Sequence, residues 1–425
     1  MTHTAQYNYI PGVESLERYT PGGYHPVNIG DTFRDRYRVV DKLGFGGYST
    51  VWLVRDTVLG RYSALKVGIA DSRLPDSEIR VLHALASPSA GLQQPGRALL
   101  PCILDEFEHD GPNGRHPCYV TTPARGDLRQ AKERGMFPLE VSRALSGGLA
   151  TAVAYMHSHG YVHGDIHLGN ILVRLPSSFD GLSIERFYEE YGKPETVPIT
   201  RLDGGELPCN VPTHAVVPID LGIPARQFKL ADARPILSDL GESFSPASGE
   251  IRLGEDCHTP LPVRPPESLL APDAALSYSS DVWQLALAIW DIVSMKSLFS
   301  HDFATEDEMI SQHVDLLGRL PHPWREKWSP QEDRFFGKDG QRRNVREMLW
   351  PSLEVAFEEG VQKYRRKLGV GAMDEEERVA FLALMRQMLV FRPEERISAE
   401  QVLGADWMVR WALPDFERSE MRLDP

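Results

Sequence analysis

The stretch YVHGDIHLGNILVRL, residues 161–175, carries the pattern that decides the fold. His163 is followed two residues later by Asp165, and Asn170 comes five residues after that, just ahead of an apolar, strand-like run. This is the layout of a phosphoryl-transfer catalytic loop, in which the Asp takes the proton of the substrate hydroxyl and the Asn holds a metal ion. An Asx-rich loop at the end of a helix would also explain these residues, so the hypothesis depends on the surrounding motifs.

Two motifs upstream of this loop are typical of a nucleotide-binding lobe. The run KLGFGGYSTVWLVRD places Gly44 and Gly46 between two strand-like segments, and glycines let a backbone close over phosphates. The next segment, SALKVG, carries Ala64 and Lys66, and Glu78 follows on a helical stretch. A lysine that reaches the α- and β-phosphates needs such a carboxylate to position it. A plain hairpin or an edge strand would explain each feature alone, but the combination favours a nucleotide site.

Four motifs downstream complete a set. ILSDLGES has Asp239 between an apolar strand and Gly241, the position of a carboxylate that binds the magnesium ion bridging the β- and γ-phosphates. The segment VRPPESLLAP contains Glu267. The segment SSDVWQLALAIW places Asp281 at the start of an apolar helix, and the segment MLVFRPEERISAEQVL contains Arg396, the expected partner of Glu267. Removing one member of such a buried pair costs about 3–5 kcal/mol. Taken alone, the arginine would be interpreted as a surface residue between two helices.

Gly164 and His167 raise a choice between kinds of kinase. Protein kinases usually have H-R-D-L-K-x-x-N here, whereas small-molecule kinases of the aminoglycoside and choline kinase type often have H-G-D-x-H-x-x-N, as this chain does. Small-molecule kinases lack the P-P-E-like segment, the helix after it and the late arginine. The ordered set from residue 43 to residue 396 therefore favours a protein kinase. Two alternatives stay open: a pseudokinase that serves as a nucleotide-binding scaffold, and a small-molecule kinase.

The chain resembles the serine/arginine-rich protein kinases. GGYHPVNIGDTFRDRYRVVDKLGFGGYSTVWLVRD is similar to that family's G-G-Y-H-P-V-x-I-G-D followed by K-L-G-W-G-x-F-S-T-V-W-L, and MLVFRPEERISAEQVL is similar to the end of its kinase domain. The resemblance covers essentially residues 22–408. It implies an α+β, two-lobed protein-kinase fold with a small strand-rich N-lobe and a larger helical C-lobe. It also implies ATP with Mg²⁺, and transfer to Ser or Thr of protein substrates that are basic or rich in Arg and Ser.

The resemblance implies roles for the catalytic residues. Asp165 would orient and deprotonate the hydroxyl, and Lys66, fixed by Glu78, would hold ATP. His167 would take the place of the Lys that touches the γ-phosphate. The expected magnesium ligands are Asn170 and Asp239, and the expected structural residues are Glu267, Asp281 and Arg396.

The resemblance also implies an adenine site under a hinge in the run TTPAR. Thr121 would be the gatekeeper, and the Thr122 carbonyl and the Ala124 N–H would face the adenine. The expected ATP-binding residues are Leu43, Gly44, Gly46, Val51, Ala64, Lys66, Thr121, Thr122, Ala124 and Leu172.

The chain departs from this family mainly in the loops next to the peptide substrate. The family has H-T-D-I-K-P-E-N, so an absent arginine after the first His is normal for it, whereas His167 is not. Pro260 replaces the Thr that ordinarily lies seven residues before the glutamate of the A-P-E motif, which is Glu267 here, and Thr259 lies one residue earlier. Val263 stands where the family has Tyr. Gly164 also removes the cation that receives an activating phosphate in many protein kinases. We therefore expect an enzyme that is active without phosphorylation of its activation segment.

Changes in composition and period predict the domain organisation. The expected parts are an N-terminal extended arm (1–30), a kinase N-lobe (31–124), and a C-lobe (125–425) with an irregular insert (176–226), an activation segment (239–267) and a late insert (321–344). The first lobe should contain the strands YRVVDKL, STVWLVRD, YSALKVG and HPCYVTT and one helix near DSEIRVLHALA.

The composition is that of an ordinary globular protein. The chain has 425 residues, of which 42% are hydrophobic. Its formal net charge of −14 argues against non-specific binding to nucleic acid or membranes and permits a basic partner. Its four widely spaced cysteines match no zinc pattern and suggest a reducing compartment. The run DVWQLALAIWDIV is too short and too charged to span a bilayer, and the first residues do not resemble a signal peptide. We expect a soluble, monomeric protein of the cytoplasm or the nucleus.

Overall fold

The structure is a computed structural model that describes residues 6–70, 74–86, 95–299, 304–335, 337 and 350–421, with the side chains of 74–76, 95 and 329–335 left aside. Its strands are β1 (Thr32–Phe33), β2 (Tyr37–Gly46), β3 (Ser49–Asp56), β4 (Arg61–Gly68), β5 (Asp105–Gly111), β6 (Gly114–Thr121), β7 (Ala124–Asp127), β8 (Ile171–Arg174), β9 (Glu195–Pro198), β10 (His214–Val217) and β11 (Pro235–Leu237). Its α-helices are α1 (Leu74–Ala86), α2 (Leu128–Glu133), α3 (Leu139–Ser158), α4 (Ile184–Tyr191), α5 (Pro266–Leu270), α6 (Tyr278–Val293), α7 (Glu306–Leu317), α8 (His322–Phe335), α9 (Leu353–Phe357), α10 (Lys363–Leu368), α11 (Glu375–Met388), α12 (Ala399–Leu403) and α13 (Leu413–Met421).

The chain forms two compact units, each built from separate stretches of sequence. The first is rich in strands, and its ranges are Met1–Pro88, Pro101–Gly126 and Arg174–Gly222. The second is mainly helical, and its ranges are Ser89–Leu100, Asp127–Val173 and Ile223–Pro425. The predicted α+β class, with a strand-rich N-lobe and a larger helical C-lobe, is confirmed.

The first unit contains a six-stranded antiparallel sheet in the order β1-β2-β3-β4-β6-β5. The predicted strands and the helix α1 are present, and each of these strands buries several apolar side chains. Val39, Trp52, Leu65 and Val120 are each at most 1% exposed and form the core of this sheet.

The insert of residues 176–226 differs from its prediction. It was expected to be an irregular part of the C-lobe, whereas most of it folds as part of the first unit and contains α4 and the antiparallel pair β9–β10. Ser183 begins α4 by accepting a hydrogen bond from the Arg186 N–H. Phe187 is fully buried beside Tyr62, and the Tyr188 hydroxyl donates to the carbonyl of Val40, 2.9 Å away. The high content of Pro, Gly and acidic residues in the insert obscured this short amphipathic helix.

The second unit is organised around two long helices, α3 and α6. Helix α6 is buried along residues 280–293, so its polar side chains must find partners inside the protein. The late insert, expected to be irregular, contains α8 over most of residues 322–335, and the part after residue 337 lies outside the described residues. Within the described ranges, no helix has the length and hydropathy needed to cross a bilayer.

His313, on α7, is buried in the second unit. Its ring meets Trp283 and Phe299 edge-on, with centroid distances of 5.1 Å and 4.6 Å. Neither ring nitrogen has a partner among the described residues. Burial, with a smaller contribution from Arg396, lowers the pKa of His313 to about 3.

Acid should therefore destabilise the protein through His313. The folded ring stays neutral, whereas the unfolded chain binds a proton near pH 6.5, so the free energy of unfolding decreases as the pH falls below that value. At about pH 5.5 the loss from this residue is about 1.4 kcal/mol. His313→Phe, which keeps an aromatic ring and removes the titration, should lose less stability than the wild type between about pH 7.5 and about pH 5.5 in urea unfolding.

His322→Phe is the matched control, because the His322 side chain is 69% exposed. It should leave the pH dependence of the urea midpoint as in the wild type. Equal losses for the wild type and His313→Phe would contradict the role given to the buried ring.

Candidate active site

The nucleotide-binding residues expected in the first unit share one face of the sheet. Residues directly opposite each other in an antiparallel pair point to the same side, and so do residues two apart in one strand. Val51 lies opposite Lys66, and Ala64 lies opposite Thr121. The register therefore brings Val51, Ala64, Lys66 and Thr121 together on one surface.

Lys66 and Glu78 form the ion pair that the sequence predicted. Lys66 is in β4 and Glu78 in α1, and their Nζ and Oε2 atoms are 2.7 Å apart. Glu78 is 2% exposed, and the Lys66 side chain is 18% exposed. A buried carboxylate thus fixes the direction of an ammonium group that remains partly accessible.

The glycine-rich segment is the hairpin between β2 and β3. Gly44 pairs with Val51, and Gly46 pairs with Ser49 at the tip. A Cβ built at Gly44 or Gly46 would meet no described atom within 4 Å, so packing in this structure does not require glycine there. Leu43 is the partly buried residue at the base of this hairpin. Because glycine has no Cβ, a phosphate can approach the backbone closely at Gly44 and Gly46.

The expected hinge follows β6 directly. Thr121 ends this strand, and its hydroxyl donates to the Thr122 carbonyl at 3.4 Å. Ala124 begins β7. Leu172, the expected adenine contact of the second unit, lies in β8 opposite Ile236 of β11.

In the second unit, helix α6 holds the catalytic loop by its backbone. Asp281 is fully buried, and its carboxylate accepts hydrogen bonds from the His163 N–H at 2.7 Å and the Gly164 N–H at 2.9 Å. One turn later, the Gln284 side-chain oxygen accepts from the Ile166 N–H at 2.7 Å. The loop conformation is therefore set by two side chains of one buried helix.

This arrangement orients Asp165, the expected base. The amide nitrogen of Asn170 donates to the Asp165 carbonyl at 2.9 Å and to its Oδ2 at 3.0 Å. The other carboxylate oxygen, Oδ1, is buried and has no hydrogen-bond partner among the described residues. The Asp165 side chain is 18% exposed, so the carboxylate that Asn170 orients can still be reached by a substrate hydroxyl.

His167 contacts a cation on its Nδ1 side. The Nδ1 atom lies 3.1 Å from Arg129 Nη2 and 3.1 Å from the Gly169 N–H, and both groups can only donate. A neutral ring therefore carries its proton on Nε2, which lies 3.4 Å from Asp165 Oδ2. A Cβ on Gly169 would come within 2.3 Å of Arg129, so glycine makes room for this guanidinium.

The two expected magnesium ligands lie at the adjoining ends of two strands. Asn170 directly precedes β8, and Asp239 follows β11 with the left-handed backbone φ of 61°. The Ser238 N–H donates to the Asn170 carbonyl at 2.8 Å, which joins these ends. Because the Asn170 amide nitrogen is bonded to Asp165, its oxygen is the end left for a metal. A carboxylate and an amide oxygen are ligands that suit Mg²⁺, so the residues fit the ion.

The activation segment is tied to the catalytic loop by internal contacts. The Thr259 hydroxyl donates to the Gly164 carbonyl at 2.9 Å and accepts from the Gln284 amide at 3.0 Å. Gly164 has a φ of 84°, and a Cβ there would lie 2.7 Å from the Glu242 carbonyl oxygen. Arg252 donates to the Glu242 carboxylate at 2.6 Å, so the segment contains its own ion pair.

Glu267 and Arg396 form the buried pair expected from the sequence. The guanidinium donates to both carboxylate oxygens, at 2.8 Å and 2.5 Å. The Arg396 side chain is 0% exposed and the Glu267 side chain 5%. Arg396 also donates to the carbonyls of Val390, Ser279 and Phe391. The pair thus fixes α5, at the end of the activation segment, to the chain ahead of α12.

Sequence reasoning missed Gln284, Arg129 and the hydroxyl contacts of Thr259. Gln284 could have been found, because it lies three residues after Asp281 and therefore on the same face of α6. Arg129 gave no local signal, since it is far from His167 in sequence and lies on the short helix α2. Thr259 was noted as displaced by one residue, but its partners depend on the fold of the segment.

The chain is similar to serine/threonine protein kinases over most of its length. A serine/threonine protein kinase of Aspergillus fumigatus is 28% identical over 409 residues, which cover 93% of this chain and 90% of that protein. The serine/threonine-protein kinase SRPK of Physarum polycephalum is 26% identical over 422 residues, covering 93% and 91%. The protein kinase dsk1 of Schizosaccharomyces pombe is 24% identical over 484 residues, covering 95% and 86%. No protein-family model matches the chain.

The link through Thr259 can be tested with two substitutions. Thr259→Val keeps the shape of the side chain but removes the hydroxyl, which leaves the Gly164 carbonyl and the Gln284 amide with only their long mutual contact of 3.5 Å. We expect a three- to tenfold decrease in kcat, because an unsatisfied buried polar group costs about 1–3 kcal/mol and part of this cost falls on the active conformation. Thr259→Ser, which restores the hydroxyl, should recover most of the rate in a steady-state phosphorylation assay.

Binding of ATP, measured by calorimetry, should be the same in both variants. If Thr259→Val retains the full kcat, or if Thr259→Ser is as slow as Thr259→Val, the hydroxyl does not couple the segment to the loop.

Proposed function

We propose that this chain, a serine/threonine protein kinase of the SR-protein kinase-like group, transfers the γ-phosphate of ATP to hydroxyls of protein substrates and favours substrates rich in Arg and Ser. The observation that carries the transfer chemistry is the Asp165 carboxylate. Asn170 orients Asp165 through two hydrogen bonds, one to its carbonyl and one to its carboxylate, and the side chain remains 18% exposed. A substrate hydroxyl would donate to the carboxylate, which would then accept its proton.

The other expected residues have consistent roles in this proposal. Lys66, held by Glu78, would bind the α- and β-phosphates. Asn170 and Asp239 would hold magnesium, which when bound supplies positive charge against the charge of the phosphates. The backbone of the hairpin at Gly44 and Gly46 would close over the nucleotide.

We also propose that Arg129 provides the permanent cation of the catalytic loop. His167 was expected to replace the Lys that touches the γ-phosphate, but its Nδ1 accepts from Arg129 and from the Gly169 N–H. A guanidinium remains protonated at any working pH. In this arrangement His167 directs Arg129 on one side and faces Asp165 on the other.

Substrate preference would act through the acidic first turn of α7. In the acidic first turn of α7, Glu308 closes a capping box with Thr305, and Asp307 accepts from the Trp328 indole at 3.0 Å. These two acids therefore serve the helix. Glu306 lies 3.9 Å from Arg264 but is 65% exposed, so it is the member of the turn that a basic peptide would meet. The net charge of −14 supports a basic partner and argues against nucleic acid and acidic membrane surfaces.

We also propose that the protein is a monomer and acts in the cytoplasm or the nucleus. The four cysteines are free thiols, two exposed and two buried, which is typical of a reducing compartment.

Replacing the base tests the transfer chemistry. Asp165→Asn should lower kcat by at least about a hundredfold, because general-base catalysis contributes on that scale. The affinity for Mg-ATP, measured by calorimetry, should change little. The assay would follow radiolabel from the γ-phosphate into an Arg-Ser peptide and a generic basic protein.

The outcomes separate the alternatives. Equal labelling by the wild type and Asp165→Asn would show that the assigned base is wrong. ATP binding without labelling of any protein would favour the pseudokinase, and transfer to a small hydroxylated molecule but not to protein would favour a small-molecule kinase.

A peptide series tests the substrate class. Serine peptides flanked by arginine should have a higher kcat/KM than neutral or acidic peptides of equal length, and the advantage should shrink at higher salt because exposed charges are screened. Glu306→Gln should reduce the advantage, whereas Glu400→Gln, an exposed acid on α12, should not. Equal turnover of all peptides at every salt concentration would remove the basic-substrate proposal and leave the kinase activity untouched.

A further inference from the structure

The N-terminal arm makes a direct hydrogen bond to the glycine hairpin. Tyr24 is 3% exposed, and its hydroxyl donates to the Gly46 carbonyl at 2.7 Å. Arg18 donates to the same hydroxyl oxygen at 3.2 Å, and its guanidinium carbon lies 4.8 Å from the centre of the Tyr24 ring. Burial raises the pKa of Tyr24, so the phenol remains a donor at any working pH.

The arm makes a second attachment at the base of the same hairpin. The Lys42 side chain is 0% exposed and ion-paired with Glu14, which also accepts from the Tyr19 hydroxyl. The Lys42 ammonium lies 5.4 Å from the centre of the Phe45 ring, inside the hairpin segment. A buried ion pair holds its partners in place, because separating them would leave an uncompensated charge in the interior.

The arm is itself fixed at the turn that carries Tyr24. A Cβ at Gly23 would overlap the Arg18 carbonyl, 1.9 Å away, so this turn requires glycine. The Asn113 side chain donates to the Tyr24 carbonyl at 2.7 Å, and the Ala70 N–H donates to the Gly23 carbonyl at 3.1 Å. The hydroxyl of Tyr24 is thus presented from a rigid segment rather than from a loose tail.

The side chains at the hairpin tip are largely exposed, with Phe45 at 42% and Tyr48 at 46%. The tip is therefore held mainly through its backbone, where the Ile69 N–H donates to the Tyr48 carbonyl at 2.9 Å and Tyr24 bonds the Gly46 carbonyl. A trans peptide points its C=O and the following N–H in opposite directions. Holding the Gly46 carbonyl on the arm side therefore directs the Gly47 N–H to the other side of the hairpin. A loop whose amide directions are set in advance loses less conformational entropy when it binds an anion.

We propose that Tyr24 and the Glu14–Lys42 pair are positioning residues that hold the glycine hairpin in the conformation that binds the phosphates of ATP. The identity of the ligand rests on the proposed function. The brace itself concerns this chain's own residues, and it makes the arm a determinant of nucleotide affinity.

The test removes one hydroxyl. Tyr24→Phe should weaken the binding of Mg-ATP, measured by calorimetry, by about three- to tenfold, since a neutral hydrogen bond contributes on that scale. Amide hydrogen exchange in peptides covering residues 43–49 should become faster in the absence of nucleotide. Glu14→Gln should accelerate exchange in the same peptides.

Tyr37→Phe is the matched control. Tyr37 is also buried in the first unit, and its hydroxyl donates to Asp105 at 2.6 Å, away from the hairpin. It should lower the thermal midpoint about as much as Tyr24→Phe while leaving ATP affinity and exchange of the hairpin unchanged. A purely structural role for Tyr24 would make the two variants behave alike.

The results distinguish the brace from the proposed function. Unchanged hairpin exchange and unchanged ATP affinity in Tyr24→Phe would overturn the brace. A wild type that binds no Mg-ATP would overturn the proposed function, and faster hairpin exchange in Tyr24→Phe would still support the brace.

Discussion

The buried carboxylate of Asp281 is the constraint on which the chemistry of the second unit depends. A fully buried carboxylate needs strong donors, and here it takes them from the backbone of His163 and Gly164 and from the ring of His157, 2.9 Å away. The backbone of the catalytic loop must then run along the start of α6, and the direction of Asp165 follows. Gln284 continues this constraint by bonding the loop and the activation segment with one amide group.

How far the sequence predicted the site depends on the distance over which each contact acts. The motifs were enough to predict two ion pairs, Lys66 with Glu78 and Glu267 with Arg396, because the motif in which each residue lies indicates the partner that it contacts. Arg129 could not, since no pattern on a six-residue helix indicates which distant loop it will meet. The strands of the first unit followed from alternating apolar residues, whereas the short helix in the insert was obscured by the polar residues around it.

The first unit shows how an arm and an insert become part of a sheet domain. Tyr7, Leu16 and Tyr19 of the arm pack in one cluster with Ile199 and Val211 of the insert. Neither segment has enough apolar residues to form a core alone, so each depends on the other and on the sheet beneath. Polar contacts reinforce the cluster, as in the Asn210 side chain, which donates to the Tyr19 carbonyl at 2.9 Å.

This partnership has a consequence during synthesis. The Asn8 side chain donates to the Pro198 carbonyl across 190 residues of sequence, so the arm must wait for the insert before it can dock completely. A ribosome that adds about 5–20 residues per second needs about 10–40 s to cover that distance. Before the insert is made, the arm can contact the strands through Lys42 and Gly46, but its apolar side chains lack the cover that the insert supplies. Slow translation between the arm and the insert would lengthen the interval in which a chaperone could protect them.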